Sequence, residues 1–241
     1  MRLSKVLFVF ICLLAVSGFV YAGVEKGDDS LNRLVDGNKR FVSGDLSKKD
    51  LGDSRRQELS KGQHPIAIVL SCSDSRVPPE IVFDQGLGDI FIVRVAGNVV
   101  EPTTLGSIEY GAEHLNAPLL VILGHSQCGA VKATLEAKGK PEGNIGAILK
   151  KIIPAVNTAK KAKQGPEVTL DLAVKENVKN TYKDVMKSKV IAELVHEGKL
   201  KVVGAEYQLS TGKVEMVELS SAPAHAGHMH EKMHEGHEVH K

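Results

Sequence analysis

The chain has 241 residues, 42% hydrophobic and 4% aromatic, with 31 basic side chains against 29 acidic and three cysteines. This suits one domain with a full hydrophobic core. The near-neutral balance and scarcity of aromatics argue against a nucleic-acid-binding surface.

Residues 1–22 carry Arg2 and Lys5, an apolar stretch from Val6 to Val16, and small residues around Val20-Tyr21-Ala22. That is the pattern of a secretory signal peptide, and the stretch is shorter than the roughly 20 residues of a spanning helix. The mature chain is then expected from about Gly23, in a periplasm or outside the cell, with no membrane contact. Loss of Arg2 and Lys5 leaves 29 basic residues facing 29 acidic ones.

From Asp28 to about Lys61 the pattern is helical, with Leu31, Leu34, Val35 and Phe41 as an apolar stripe, and predicts an N-terminal helical arm. Ile66 to Ser71 is a continuous apolar run of strand length, followed by Pro78-Pro79, which can open a short helix. Phe91 to Ala96 is a second run, ended by Gly97-Asn98. A helix is predicted from about Thr103 to Leu115, then a third run, Leu119 to Leu123, and a helix from Gly129 to Lys138. Further helices are expected from about Asn144 to Lys163 and from Gly165-Pro166 to the stop at Gly198. Leu200 to Leu209 reads as a fourth strand, and Ser210-Thr211-Gly212 turns the chain into an edge segment, Lys213 to Glu218. Strands without alternation, separated by helices, predict an α/β fold: a mostly parallel four-stranded sheet flanked by helices. Such sheets place ligands at the carboxyl ends of their strands.

From about Ser221 the composition shifts to Ala, Gly, His, Met and Glu, with His225, His228, His230, His234, His237 and His240 within sixteen residues. Such a tail cannot bury a core and is expected to be disordered. Clustered neutral imidazoles bind zinc, copper or nickel, which makes these six a candidate second metal site. The organisation is therefore a signal peptide (1–22), one domain (23–220) and a histidine-rich tail (221–241).

Two segments carry chemistry, Cys72-Ser73-Asp74-Ser75-Arg76 and His125-Ser126-Gln127-Cys128, each at the end of an apolar run. Zinc favours sulfur and imidazole nitrogen, and a centre with three fixed ligands keeps a position open for a water whose pKa falls to about 7. A disulfide between Cys72 and Cys128 is the competing reading in an oxidising compartment, but a disulfide needs none of the neighbouring Asp, Arg and His. Cys12 falls in the signal segment. Asp74 and Arg76, two residues apart, can pair with each other. The carboxylate then either accepts a hydrogen bond from the water or swings onto the metal and closes it.

These segments, together with Phe-Ile-Val-Arg-Val-Ala-Gly-Asn (Phe91 to Asn98), Ser107-Ile108-Glu109-Tyr110 and Gly124 to Gly129, resemble the β-class carbonic anhydrases, in order from about Leu31 to Gln208. The resemblance implies reversible hydration of carbon dioxide to bicarbonate, with one zinc ion per subunit on Cys72, His125 and Cys128 and a catalytic dyad of Asp74 and Arg76. It also implies a substrate hydrogen bond from Gln63, and a small apolar pocket of Phe91, Ala96 and Tyr110 partly contributed across a dimer interface. A homodimer or dimer of dimers follows. Relatives of this fold hydrolyse carbonyl sulfide or carbon disulfide with the same ligands. A non-enzymatic zinc-delivery protein working through its tail is the other class, and an intact Asp74 and Arg76 pair speaks against it. His64, His114 and His196 read as surface or packed helical residues.

Overall fold

The protein is described by a computed structural model over residues 26–139, 141 and 143–219. The expected signal segment and the six tail histidines lie outside these residues.

The uninterrupted apolar runs become the middle of a sheet. β1 (Ala67–Ser71) and β3 (Leu119–His125) are buried along their whole lengths, as strands covered on both faces must be. They lie side by side, flanked by β2 (Ile90–Arg94) and β4 (Lys201–Tyr207), in the order β2-β1-β3-β4-β5. The first four strands are parallel. The turn after β4 adds β5 (Val214–Val217) antiparallel, so the expected edge segment makes the sheet five-stranded rather than four-stranded. From β1 the chain crosses to β2 on one side, then returns to place β3 on the other. The adjoining carboxyl ends of β1 and β3 are thus a topological switch point, where open α/β sheets form a ligand crevice.

The helices are α1 (residues 26–43), α2 (Asp53–Leu59), α3 (Pro79–Val82), α4 (Pro102–Glu109), α5 (Gly129–Glu136), α6 (Ile145–Lys160), α7 (Pro166–Val185) and α8 (Lys189–His196). One helix was expected from residue 166 to 198; the chain instead breaks at Ser188. Its Oγ accepts from Ile191 N at 3.2 Å and donates to Glu109 at 2.6 Å, starting a new helix. A π-helical turn, Tyr110–His114, continues α4.

One sheet face packs Ile68, Leu70, Leu120 and Ile122 against Val178, Val185 and Ile191 of α7 and α8. The other packs Val69, Val121 and Val203 against Leu34 of α1 and Val82 and Phe83 beside α3. Asn38 ties α1 to the β4–β5 turn, donating to Gly212 O at 2.9 Å and accepting from Val214 N at 2.9 Å. Among the described residues no helix is long and apolar enough to cross a membrane.

Candidate metal centre

β1 delivers Cys72 and β3 ends in His125, so the switch point itself brings two donors together. Gln127 then takes a left-handed conformation, φ 55°, and the turn returns Cys128 to the site at the start of α5. The two sulfurs and a ring nitrogen of His125 lie within 4.8 Å of one another. Both cysteines are free thiols, which decides against the disulfide. His125 is fully buried. Its Nδ1 lies 2.9 Å from the Ser126 carbonyl, an acceptor only, so Nδ1 carries the proton and Nε2 presents a lone pair. Among the described residues Nε2 has no hydrogen-bond partner. A buried acceptor left open beside two sulfurs costs free energy unless something fills it. A tetrahedral, borderline-soft cation such as zinc fits this donor set.

The sulfurs show the same deficit. The Cys72 thiol is held well below the usual thiol range, first by the Cys128 thiol beside it and less by the Gly97 and Asp74 N–H groups, against the cost of burial. Cys128 is pushed up, first by the Cys72 sulfur and then by burial. A bound divalent ion lets both be thiolates. Val99, Val131, Ile152 and Val174 pack around the two cysteines.

Asp74 stands over this centre. Arg76 grips it with two parallel bonds, Nε to Oδ1 at 2.9 Å and Nη2 to Oδ2 at 2.7 Å, and its backbone N–H adds a third at 3.0 Å. This fork holds the Asp74 carboxyl well below the usual carboxylate range. Oδ2 lies 3.8 Å from His125 Nε2. Two further residues were missed by the sequence reading. Arg94, at the end of β2, donates to Cys72 O at 2.9 Å and Asp74 O at 2.6 Å, clamping the loop that carries both. Its signals were a charge inside an apolar run and its place in the Phe91 to Asn98 motif. Ser126 accepts from Leu209 N at 2.9 Å and donates its own N–H to Tyr207 O at 2.9 Å, fixing the carbonyl that orients His125.

The carbonic anhydrase family profile matches residues 67–214, more than half of the chain and the span containing all three donors. A carbonic anhydrase of Mycolicibacterium smegmatis is 42% identical over 187 residues, 76% of this chain and 89% of that protein. Among solved structures, a β-carbonic anhydrase of Aspergillus fumigatus superposes with a TM-score of 0.65 at 28% identity, over 70% of this chain and 83% of that one. A tetrameric β-carbonic anhydrase of Sordaria macrospora gives 0.64 at 26% identity, over 69% and 87%. The chain belongs to the β-class carbonic anhydrase family.

In this carbonic anhydrase the expected pocket residues divide. Ala96 sits in the Ala96–Asn98 turn, next to Gly97, whose N–H reaches Cys72 Sγ. Phe91 lies toward the amino end of β2, three residues and roughly 10 Å before Arg94. It packs at a tilt against Tyr110, 6.2 Å between ring centres, and Tyr110 in turn against His114 at 5.3 Å. Tyr110 is 47% exposed, turned outward in the π-helical turn. Gln63 is exposed ahead of β1, at the opposite end of the strand from Cys72. One chain therefore assembles the metal ligands, Asp74, Arg76 and Ala96, but not Gln63, Phe91 and Tyr110. His64, His114 and His196 are exposed, as expected.

Proposed function

We propose that this carbonic anhydrase hydrates carbon dioxide reversibly at one zinc ion held by Cys72, His125 and Cys128, in a pocket completed by a second copy of the chain. The observation that carries this is the buried, unpartnered Nε2 of His125 facing two free thiols, with an ionised carboxylate 3.8 Å away. When bound, zinc supplies a Lewis acid that makes water nucleophilic near neutral pH. The chain's own residues orient the reaction. Arg76 engages both oxygens of Asp74, which supports a centre left open to water rather than closed by the carboxylate. Asp74 accepts a hydrogen bond from the attacking water and turns its free lone pair toward the carbon of the substrate. Arg94 holds the Asp74 backbone in place. Bicarbonate then leaves.

The second copy is supported by the division of the pocket. Gln63, Phe91 and Tyr110 carry the polar and aromatic groups that a small apolar substrate needs, yet they lie toward the opposite end of the strands from their own metal ligands. A homodimer or dimer of dimers supplies them across its interface, and the Sordaria relative is tetrameric. The signal-like residues 1–22 support work in a periplasm or outside the cell. There the six tail histidines gather zinc and raise its concentration near the centre. Truncation at Ser221 is expected to lower zinc loading when the metal is limiting; unchanged loading removes that role.

The test is stopped-flow carbon dioxide hydration on metal-analysed protein, alongside Cys128→Ser. Fast turnover, with both zinc and activity lost in Cys128→Ser, is the expected result. A zinc-loaded protein inactive from neutral to alkaline pH overturns the reading, and stoichiometric zinc in Cys128→Ser overturns the ligand set.

A further inference from the structure

A metal thiolate is tuned by the N–H groups aimed at its sulfur as well as by the metal. Gly97 N–H points at Cys72 Sγ at 3.3 Å, from a position that favours glycine. Its φ is 70°, and a Cβ there would lie 2.7 Å from Ile152 Cδ1 and 3.2 Å from Ala130 Cβ. That preference carries a cost, because glycine has the loosest backbone of any residue. An N–H on a glycine hinge stays on its sulfur only if the neighbouring peptide is held from elsewhere.

The holding group comes from α7. Asn177 is 2% exposed, and its Nδ2 donates to the Gly97 carbonyl at 2.7 Å across 80 residues of sequence. Asn98 N, in the same peptide, donates to Val95 O at 2.8 Å. With that peptide pinned at both its carbonyl and its N–H, only the two torsions of Gly97 separate it from the N–H on the sulfur. Asn177 lies on the buried face of α7 with Leu170, Ala173, Val174, Val178, Thr181 and Val185. A carboxamide there is costly unless it is paired. One turn on, Thr181 makes a similar bond, Oγ1 to Asn98 O at 3.2 Å, to a carbonyl one residue further from the sulfur.

We propose that Asn177 is a positioning residue for the metal centre: by holding the Gly97 carbonyl it keeps the Gly97 N–H on Cys72 Sγ, and so sets the charge that sulfur gives the metal. This rests on Cys72 being a zinc ligand. The test uses the full chain and its variants Asn177→Leu and Thr181→Val. It reads zinc affinity by chelator competition and the sulfur-to-metal charge-transfer band of the cobalt-substituted protein. Asn177→Leu is expected to bind zinc about 10- to 100-fold more weakly, the range for lost outer-sphere partners, and to shift the band. Thr181→Val, which removes a bond from the same helix without touching Gly97, is expected to leave the band in place. Wild-type affinity and an unmoved band in folded Asn177→Leu overturn the proposal. An equal loss in Thr181→Val overturns it too, because helix packing then accounts for both. If Asn177→Leu does not fold, Asn177→Ser, with a shorter side chain, takes its place under the same two outcomes. Failure of the wild-type protein to bind zinc would instead remove the ligand assignment, a result separable from these.

Discussion

Two carboxylates near the carboxyl edge of the sheet each stand beside a cation, and the two pairs have opposite properties. Asp74, after β1, takes two short bonds from the Arg76 fork and a third from backbone, with its side chain 17% exposed, and is held ionised. Glu206, near the end of β4, is fully buried. Lys175 Nζ on α7 is 3.7 Å away, and among the described residues neither of its oxygens has a hydrogen-bond partner. Glu206 also pairs in register with Glu215 on β5, and Lys175 is already held by Asp171 at 2.7 Å. Burial, with Asp171 and Glu215 adding to it, pushes Glu206 up to about 7. A nearby opposite charge does not by itself keep a buried carboxylate ionised. Short, directed hydrogen bonds do. The well-bonded carboxylate stands beside His125 of the candidate metal centre, and the poorly bonded one lies under α7.

The largest effect is expected where the bonded carboxylate is removed. Asp74→Ala should keep zinc, because the three donors are untouched, while hydration falls by about 10² to 10⁴, the range for loss of a positioned proton acceptor. Metal analysis together with stopped-flow turnover checks this. Normal turnover with full zinc would remove Asp74 from the mechanism and leave its pairing with Arg76 a structural one.

Most of the site was legible because its residues follow strands. Cys72 and His125 end continuous apolar runs, and a parallel sheet places such ends together at its switch point. Asp74 and Arg76 pair as their two-residue spacing predicted. Less legible were contacts between residues distant in sequence. Asn177 and Gly97 are 80 residues apart, and nothing in a helical stripe of valines and alanines announces which polar residue faces a turn. Arg94 looked like a strand residue because its partners are backbone carbonyls, which leave no mark in sequence. The break at Ser188 was hidden by apolar spacing that continues across it, so the capping hydroxyl was the only cue. Glu206 was read only as part of the fourth strand, Leu200 to Leu209. Its isolation follows from tertiary burial under α7, which periodicity does not reveal.

Glu206→Gln sharpens the comparison through stability. The folded pKa lies above the ordinary 4.5, at about 7, so the folded chain holds this proton more tightly than the unfolded chain. Its stabilising contribution is complete below pH 4.5, declines as the pH rises and is lost above about 7. A displacement of this size is worth about 3 kcal/mol. Asp74 runs the other way, contributing above pH 3.8 and losing its contribution as the pH falls. Urea unfolding of wild type and Glu206→Gln at pH 5 and pH 8 should give similar stabilities at the lower pH and a more stable variant at the higher. A gap that does not grow with pH would mean that Glu206 finds donors or water in solution, and the contrast with Asp74 would fail.

Lys175→Met is the smallest and most discriminating change. Lys175 is 37% exposed in its side chain and 3.7 Å from Glu206, so solvent weakens its pull, and its removal should cost about 1 kcal/mol. That cost should depend on pH. At pH 8 Glu206 is charged, and loss of the ammonium leaves it facing Asp171 and Glu215 with no compensating cation, so the variant should be destabilised. At pH 5 Glu206 is neutral and has nothing to lose, so only the surface pairing of Lys175 with Asp171, a few tenths of a kcal/mol, should disappear. In the Glu206→Gln background the extra penalty at pH 8 should vanish, because the charge that Lys175 compensates is gone. Equal penalties in both backgrounds would show that Lys175 stabilises α7 through Asp171 alone, leaving Glu206 without an ionic partner.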